Sequence, residues 1–588
     1  MKSFLKYTLA TITGIIITSI LFFFVMLGSF SIMMASANRQ VSIGKNSVLV
    51  LNTGRSIPER GLDDPFSSFD LIDFTFKPSP GVNDIIKNLE KAKDDERIKG
   101  VLIENGPMVN GWGKAEEIRM ALLRFKESGK FIISYTENYL TQESYYISSI
   151  ADKIYLNPAS IFEFKGISSE VMFFKTALEK LGIDVEVIRH GRYKGAVEPF
   201  MGDRLSDENR SQIERFINNI WDHALSNISI ERNVPVEELN RIADGLLTTN
   251  IDSTLEMGLV DGLIYRDELL EMVRERCGTA DSRTPDYVSM HKYKNVPSIS
   301  VSGSEGKIAI LYAEGTIMMG RGSDVNIGAS YYTKIIRDIR EKDDYKALVI
   351  RINSPGGNAL ASDQLWREIK LTADKIPVII SMSNYAASGG YYMAAPASMI
   401  IAHPTTLTGS IGVFGMFPQV NSLLNDKLGI ASETVRTNRF SDYPSLYRNM
   451  DNYEIAMIQE YIDNTYEEFV ERVSEGRHIE KSEVDKMGEG QVYSGMEALE
   501  KGLIDKTGGL TEALSEAASL ASIGNYTIAE LPVIEDAYTR LMRSLGGDLK
   551  MRLVKNELGE SIRYYSDLLE LKSMSGAQAR LPWFLHIF

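Results

Sequence analysis

The sequence SNYAASGGYY at residues 383–392 decides the fold around it. An apolar run at 378–380 precedes it and small residues at 389–395 follow it, so we expect Ser388 where a buried strand turns into a helix. A serine at such a turn faces the space beyond the strand, and the helix amides that follow can donate to an oxyanion. Ser388 is therefore a candidate nucleophile, and the competing interpretation is a turn of small residues that serves close backbone packing.

Strand and helix patterns alternate twice along the chain around this stretch. The predicted elements of the first copy are strands at 47–51, 100–103 and 131–135 and helices at 81–93 and 114–128. Those of the second copy are strands at 307–313, 347–352 and 378–381 and helices at 331–341 and 362–373. This alternation predicts α/β units with mostly parallel strands. Long amphipathic helices at 207–232 and 452–477 close the two copies.

Local sequence matches indicate that the two copies are a tandem duplication. GVLIENG corresponds to ALVIRIN, IISYTENY to IISMSNY, and GLVD to GLID. The matches recur at a spacing of about 245 residues, which is far longer than the period of a solenoid repeat. We therefore predict a first copy at 38–277, a linker at 278–305 where Thr, Ser, Pro and Gly cluster, a second copy at 306–526 and a C-terminal tail at 527–588.

The N-terminus carries a long apolar segment. Residues 7–37 contain no charged side chain, which is enough for one transmembrane helix. Lys2 and Lys6 precede the segment, so residues 1–6 are predicted to be a cytoplasmic tail and the α/β copies to be extracytoplasmic. A cleaved signal peptide is the alternative, because residues 35–37 read Ala-Ser-Ala.

Composition excludes several classes of function. The net charge is −15 and the sequence has no long basic block, which argues against nucleic acid as a partner. Cys277 is the one cysteine, so an intrachain disulfide is excluded, and its surroundings do not suggest a thiol nucleophile. The six histidines lack paired-ligand spacing, so we expect neither a metal nor another cofactor.

The two copies have lost different residues. Aligning their paired tyrosines places Gln142 opposite Ser388, so the first copy lacks the nucleophile. The second copy has a Ser-Pro-Gly-Gly turn at 354–357, where a backbone amide such as that of Gly356 can approach a substrate carbonyl. The first copy lacks this double glycine. An ordinary tight turn is the competing interpretation.

Conversely, only the first copy keeps a lysine in its RYKGA motif. Lys194 aligns with Ser441 and has small and apolar neighbours in sequence. Partial burial would lower its pKa and allow its amine to accept a proton. One copy then supplies a nucleophile and the other a base, with the amides of Gly356 and Gly389 as oxyanion donors. Ser410, in LTGSIGVFG, is a candidate for orienting the lysine or an ordinary turn serine.

Together, these motifs resemble the long, duplicated form of the signal peptide peptidase A (protease IV) family. The anchor, the two α/β copies, NSPGG, SNYAASGGYY, TGSIGV and GRYKGA carry the resemblance, which covers essentially the whole chain. It implies a Clp protease/crotonase-like fold in both copies and a serine protease with a Ser388/Lys194 dyad. It also implies oxyanion amides at Gly356 and Gly389 and a lysine-orienting role for Ser410.

The resemblance further implies a homotetramer on the outer face of the inner membrane that degrades cleaved signal peptides. These apolar peptides partition into the bilayer, where a tethered enzyme meets them at high effective concentration. Three rival functions remain at this stage. They are a Ser-His-Asp hydrolase that uses His403, a membrane-anchored scaffold or pseudoenzyme, and a crotonase-type acyl-CoA enzyme, which an extracytoplasmic location would deprive of its cofactor.

Overall fold

The computed structural model describes most of the chain. The described residues are 6–8, 10–21, 42–61, 69–70, 75–76, 79–107, 109–278, 285–297, 304–323, 325–534, 577–581 and 586–587. Residues 10–21 of the predicted membrane anchor are helical, and residues 22–37 of it lie outside the described part. Within the described residues, no helix combines the length and the apolar character needed to cross a membrane.

The first copy contains a six-stranded, fully parallel sheet. In spatial order its strands are Gly262–Leu263, Lys153–Leu156, Phe131–Thr136, Ile98–Asn105, Ser47–Asn52 and Tyr287–Ser289. Most residues of the strands Phe131–Thr136, Ile98–Asn105 and Ser47–Asn52 are buried, as expected for a parallel sheet that is covered on both faces.

The second copy repeats this sheet strand for strand. Its corresponding strands are Lys506–Thr507, Met399–Ala402, Val378–Ala387, Tyr345–Ser354, Gly306–Glu314 and Tyr526–Leu531, and Leu407–Gly409 and Val492–Ser494 extend it beside Val378–Ala387. Even the register irregularity recurs, between Ser47 and Val48 in one copy and between Lys307 and Ile308 in the other. The shared strand order and irregularity confirm the predicted duplication.

The helices pack on the sheets through apolar faces of helical period. In Val82–Asp94 the buried residues include Val82, Ile85, Ile86 and Leu89, which form one stripe. The other α-helices are Trp112–Lys126, Gln142–Ser148, Lys175–Leu181, Glu198–Met201, Asp207–Arg232, Val236–Asp244, Ile251–Glu256, Arg266–Arg276, Met290–Lys294, Ala329–Glu341, Ala359–Ala373, Gly389–Ala394, Asn452–Arg477, Lys481–Met487, Gly495–Glu500 and Leu510–Leu520. The two long closing helices match the predicted bounds, 207–232 and 452–477.

A third sheet joins the two copies. Its strands, in spatial order, are Asp184–His190, Val413–Gln419, Gln578–Arg580, Gly356–Asn358, Thr316–Met318 and Asn326–Gly328. Asp184–His190 belongs to the first copy and pairs antiparallel with Val413–Gln419 of the second along all seven residues. Short pairs occur between Phe69–Asp70 and Thr75–Phe76, Tyr139–Leu140 and Ile161–Phe162, and Ser169–Glu170 and His586–Ile587.

Apolar and charged contacts also bind the copies together. One continuous apolar cluster contains Leu49 and Ile118 of the first copy together with Ile310 and Val349 of the second. Beside it, the buried guanidinium of Arg351 contacts two buried carboxylates of the first copy. The two α/β units therefore share a core.

Two predicted boundaries differ from the structure. Tyr287–Ser289, within the predicted linker, is the edge strand of the first sheet, so the connection between the copies is shorter than 278–305. Tyr526–Leu531 pairs with Gly306–Glu314, so the second sheet extends into the predicted tail. Both segments are edge strands, and such strands have too short an apolar pattern for their sequence to reveal them.

Candidate active site

Ser388 lies where the strand Val378–Ala387 ends and the short helix Gly389–Ala394 begins. Its φ and ψ of 54° and −115° are unusual for a residue with a Cβ. The Ser388 amide donates to the Gly409 carbonyl at 2.7 Å, which anchors the turn to the neighbouring strand. The predicted strand-to-helix turn is confirmed, and the strand extends six residues past the predicted 378–381.

Lys194 reaches the second copy through the third sheet. It follows the strand Asp184–His190, whose pairing with Val413–Gln419 carries the first copy's chain across to the second. The Tyr193 amide then donates to the Glu489 carbonyl at 2.9 Å, so the residue directly before Lys194 is also bonded to the second copy. The Lys194 side chain is fully buried.

Three oxygen atoms surround the Lys194 amine. Its Nζ lies 2.7 Å from Ser388 Oγ, 3.0 Å from the Ser410 carbonyl oxygen and 3.0 Å from Ser410 Oγ. All three side chains are buried. The tertiary fold thus brings together the three side chains that the sequence analysis singled out from two copies and three motifs.

Burial lowers the pKa of Lys194 well below its ordinary value, because the ammonium form loses its hydration. A neutral amine has two N–H groups and one lone pair. If the two N–H groups donate to the carbonyl and hydroxyl oxygens of Ser410, the lone pair is left to accept from Ser388 Oγ–H. In this arrangement the Ser388 proton already points at its acceptor.

Ser410 is positioned by its backbone. It lies between the strands Leu407–Gly409 and Val413–Gln419 with a φ of 52°, in the left-handed region. Its amide donates to the Gln491 carbonyl at 2.6 Å. This bond fixes the turn and directs both oxygens of Ser410 toward the Lys194 amine.

The glycine turn lies close to Ser388 but differs from expectation in one respect. Gly356 has a φ of 99°, and a Cβ placed on it would lie 2.8 Å from the Gly389 amide nitrogen, so the close approach requires glycine. The Gly356 amide itself donates to Ser354 Oγ at 3.1 Å. The neighbouring Gly357 amide nitrogen lies 3.1 Å from the position of a Cβ on Gly389. Gly357 is therefore the glycine of the turn whose amide is not bonded to Ser354.

In the first copy, the carboxylate of Glu143 lies at the position equivalent to Gly389 of the second copy. Gln142 begins the helix that corresponds to Gly389–Ala394, and Glu143 follows it. The Glu143 carboxylate accepts from the amides of Asn110 and Gly111 at 2.7 and 3.0 Å. Burial raises the pKa of Glu143 to about 7, while the two amides act in the opposite direction. The first copy thus has no serine at the position of Ser388, and its amides of Asn110 and Gly111 are already bonded to the Glu143 carboxylate.

Sequence reasoning missed the loop that covers Lys194. Gly490 has a φ of 84°, and a Cβ on it would lie 2.8 Å from the Lys194 Cα. The carbonyl of the neighbouring Gln491 accepts from the Ser410 amide, so this one loop contacts both Lys194 and Ser410. The sequence GEG at 488–490 indicates a tight turn, but no local pattern reveals which residue packs beneath it.

His403, the base of the rival triad, faces the first copy instead. Its Nε2 lies 2.7 Å from Glu117 Oε2, and both side chains are buried. The basic group within hydrogen-bond distance of Ser388 Oγ is the Lys194 amine, and the His403 ring nitrogen contacts Glu117 instead. Within the described ranges, His, Cys, Asp and Glu form no group of three or more suited to a metal ion.

Comparison with known proteins identifies relatives over most of the chain. The model of Peptidase family S49 matches residues 124–279 and 370–524, one segment in each copy. Serine protease SPPA, chloroplastic, of Arabidopsis thaliana is 33% identical over 84% of this chain and 73% of its own length. Protease 4 of Haemophilus influenzae is 32% identical over 75% of this chain and 73% of its own, and Protease 4 of Salmonella typhi is 32% identical over 80% and 77%.

Proposed function

Because this chain belongs to peptidase family S49 and is a serine protease, we propose that it is a membrane-anchored endopeptidase with a Ser388/Lys194 dyad. Its substrates are cleaved signal peptides at the extracytoplasmic face of the inner membrane. The observation that carries the proposal is the 2.7 Å contact between Lys194 Nζ and Ser388 Oγ in a buried site.

In the proposed mechanism the Lys194 amine takes the Ser388 proton as Oγ attacks the substrate carbonyl carbon. The Gly389 amide and an amide of the glycine turn stabilise the oxyanion. We assign the second donor to Gly357 in place of Gly356, whose amide is engaged by Ser354 Oγ. The ammonium then protonates the leaving amine, and the acyl-enzyme is hydrolysed by water through the same proton transfers in reverse order.

Ser410 supports the base in this mechanism without touching substrate. Its two oxygens hold the Lys194 amine at 3.0 Å each and direct the remaining lone pair at Ser388. When Lys194 is transiently protonated, the same oxygens accept from the ammonium in a site where burial has removed its hydration. Ser410 is therefore a positioning residue.

The membrane anchor and the substrate class rest on the sequence. The uncharged segment 7–37 supports a single span with residues 1–6 in the cytoplasm. Tethering at the bilayer would bring the active site to apolar peptides that partition there. We extend the proposal to a homotetramer, and light scattering of the detergent-solubilised chain tests this assembly.

Peptidase assays on the full chain in detergent test the dyad. Ser388→Ala and Lys194→Ala should both abolish hydrolysis of a fluorogenic apolar peptide, since a general base contributes on the order of 10² to 10⁴ in rate. The His403→Ala protein that folds should still hydrolyse the peptide. Full activity of Lys194→Ala would overturn the dyad, and an inactive wild type would favour the scaffold alternative.

A further inference from the structure

The segment 577–581 lies beside Ser388 as an extended strand. Gln578–Arg580 pairs antiparallel with Gly356–Asn358 on one side and meets Val413–Gln419 on the other. These neighbours are the glycine turn and the strand that follows Ser410. The segment therefore occupies the position in which an extended peptide would be held by main-chain bonds next to the nucleophile.

The hydrogen-bond register places Ala579 at the reacting centre. The Leu581 amide donates to the Pro355 carbonyl at 2.7 Å, and the Ala359 amide donates to the Ala577 carbonyl at 3.2 Å. Bonded pairs alternate along an antiparallel ladder, so the next bonded pair between these two is Gly357 with Ala579. The Gly357 amide is thereby directed at the Ala579 carbonyl oxygen.

The other residue proposed as an oxyanion donor, Gly389, lies beside the same carbonyl oxygen. A Cβ placed on Gly389 would be 3.0 Å from the Ala579 oxygen and 3.1 Å from the Gly357 nitrogen. The Ala579 oxygen thus lies between the two glycines to which we assign oxyanion stabilisation. In the ladder, this oxygen has the place of the carbonyl of a bond about to be cut.

Side chains of the segment fit this site closely. Ala577 and Ala579 point to one face of the strand, are 5% and 0% exposed, and belong to the apolar cluster of the second copy. A larger side chain at either position would displace packed atoms. The next residue, Arg580, is also buried, and its Nη2 donates to Thr316 Oγ1 at 2.8 Å.

We propose that residues 577–581 are an intramolecular substrate, cut between Ala579 and Arg580, and that the cleft selects small side chains at the first and third positions before the cut. This proposal rests on the proposed function and narrows its substrate class to extended peptides with a small-x-small sequence before the cut.

The step follows the mechanism above. Ser388 Oγ bonds to the Ala579 carbonyl carbon as its proton moves to Lys194 Nζ, and the bond from that carbon to the Arg580 nitrogen breaks as the nitrogen takes the proton. Water then releases Ala579 as a free carboxylate. The products are a chain that ends at Ala579 and a peptide that begins with Arg580 and contains the sequence RLPWFLHIF.

Intact-mass analysis of the purified full chain tests the cut. We expect wild type to lose residues 580–588 with time and Ser388→Ala to keep them. Ala579→Phe should slow this cut by about 100-fold or more, because the ring does not fit beside Gly389, whereas Ala579→Ser should still be cut. Ala577→Phe, at the third position, should also slow it.

Two added peptides separate this inference from the proposed function. We expect wild type to hydrolyse Ala-Gln-Ala-Arg-Leu at least about tenfold faster than Phe-Gln-Phe-Arg-Leu. Ala579→Phe should hydrolyse the first peptide faster than wild type, since its own segment no longer fills the cleft, and this gain also shows that it folds. A wild type that cuts added peptides yet keeps residues 580–588 overturns the self-substrate and leaves the proposed function standing. Equal rates on both peptides overturn the small-residue selection, and failure on every peptide overturns the proposed function itself.

Discussion

Gly490 of the second copy packs directly on the backbone of Lys194 of the first. A Cβ on Gly490 would lie 2.8 Å from the Lys194 Cα and 2.6 Å from its amide nitrogen, closer than packed atoms approach. Gly490 also has a φ of 84°, which disfavours any side chain. The position of Lys194 therefore depends on a residue that takes no part in the proposed chemistry.

Replacing Gly490 by Ala should displace Lys194 and reduce peptidase activity by about 100-fold, because small misplacements in an active site cost this much. Gly429→Ala is the matched control. Gly429 has a similar φ of 66° but nothing within 4 Å of the added methyl, so it carries the backbone strain without the clash. Equal activity losses in both variants would attribute the effect to backbone strain.

The pH dependence of peptidase activity should follow the protonation of Lys194. Burial lowers its pKa, and only the neutral amine can accept the Ser388 proton. Below that pKa, kcat/KM should fall about tenfold per pH unit, and above it kcat/KM should level off. A profile measured from pH 5 to 10 that lacks this acidic limb would contradict the role of Lys194.

Lys194→Met should change the pH dependence of stability. Between the lowered pKa of the folded state and the ordinary lysine pKa of 10.5, the unfolded chain binds a proton that the folded chain does not. This makes wild-type stability rise with pH by about 1.4 kcal/mol per unit in that window, and Met removes this contribution. Urea unfolding at several pH values should show the variant gaining on wild type as the pH falls. Parallel curves would show that Lys194 keeps its ordinary pKa when folded.

Glu143→Gln should also alter stability with pH. The folded pKa of Glu143 is raised to about 7 by burial, so its stabilising contribution is full below pH 4.5 and is lost as the pH rises to about 7 and beyond. The amide side chain of the variant does not ionise. From pH 4.5 to 7, the free energy of unfolding of the variant should therefore rise relative to that of wild type by on the order of 3 kcal/mol. Urea unfolding at both pH values measures this difference, and an unchanged one would contradict the raised pKa.

The contact between the copies should depend on Arg351. Its Nε lies 2.8 Å from Glu59 Oε2 and its Nη1 lies 2.9 Å from Glu117 Oε2, with all three side chains buried. Arg351→Met leaves two carboxylates buried without this cation and should destabilise the chain by about 3–5 kcal/mol. Arg439→Met, which breaks an exposed pair with Asp451, should cost at most about 1 kcal/mol. Equal shifts in the unfolding midpoints would contradict this assignment.

Much of the site was predictable because its residues have local signatures. Ser388 follows an apolar run and precedes small residues, and Lys194 lies in a motif that only the first copy keeps. The choice between Gly356 and Gly357 as the proposed second oxyanion donor was not predictable, since the two glycines are adjacent and only the bond to Ser354 Oγ distinguishes their amides. The loop at Gly490 was not predicted either, because its importance arises from its contact with Lys194, which is distant in sequence.

The sequence by itself determined the duplicated α/β architecture, since apolar periodicity and repeated motifs are local properties of the chain. It also determined which copy kept the serine and which kept the lysine. Only the tertiary structure decided that Asp184–His190 pairs with Val413–Gln419 and brings Lys194 to 2.7 Å from Ser388. It alone placed residues 577–581 across the cleft. Strand pairing between remote segments depends on main-chain bonds and shared burial, which leave little trace in either segment's own sequence.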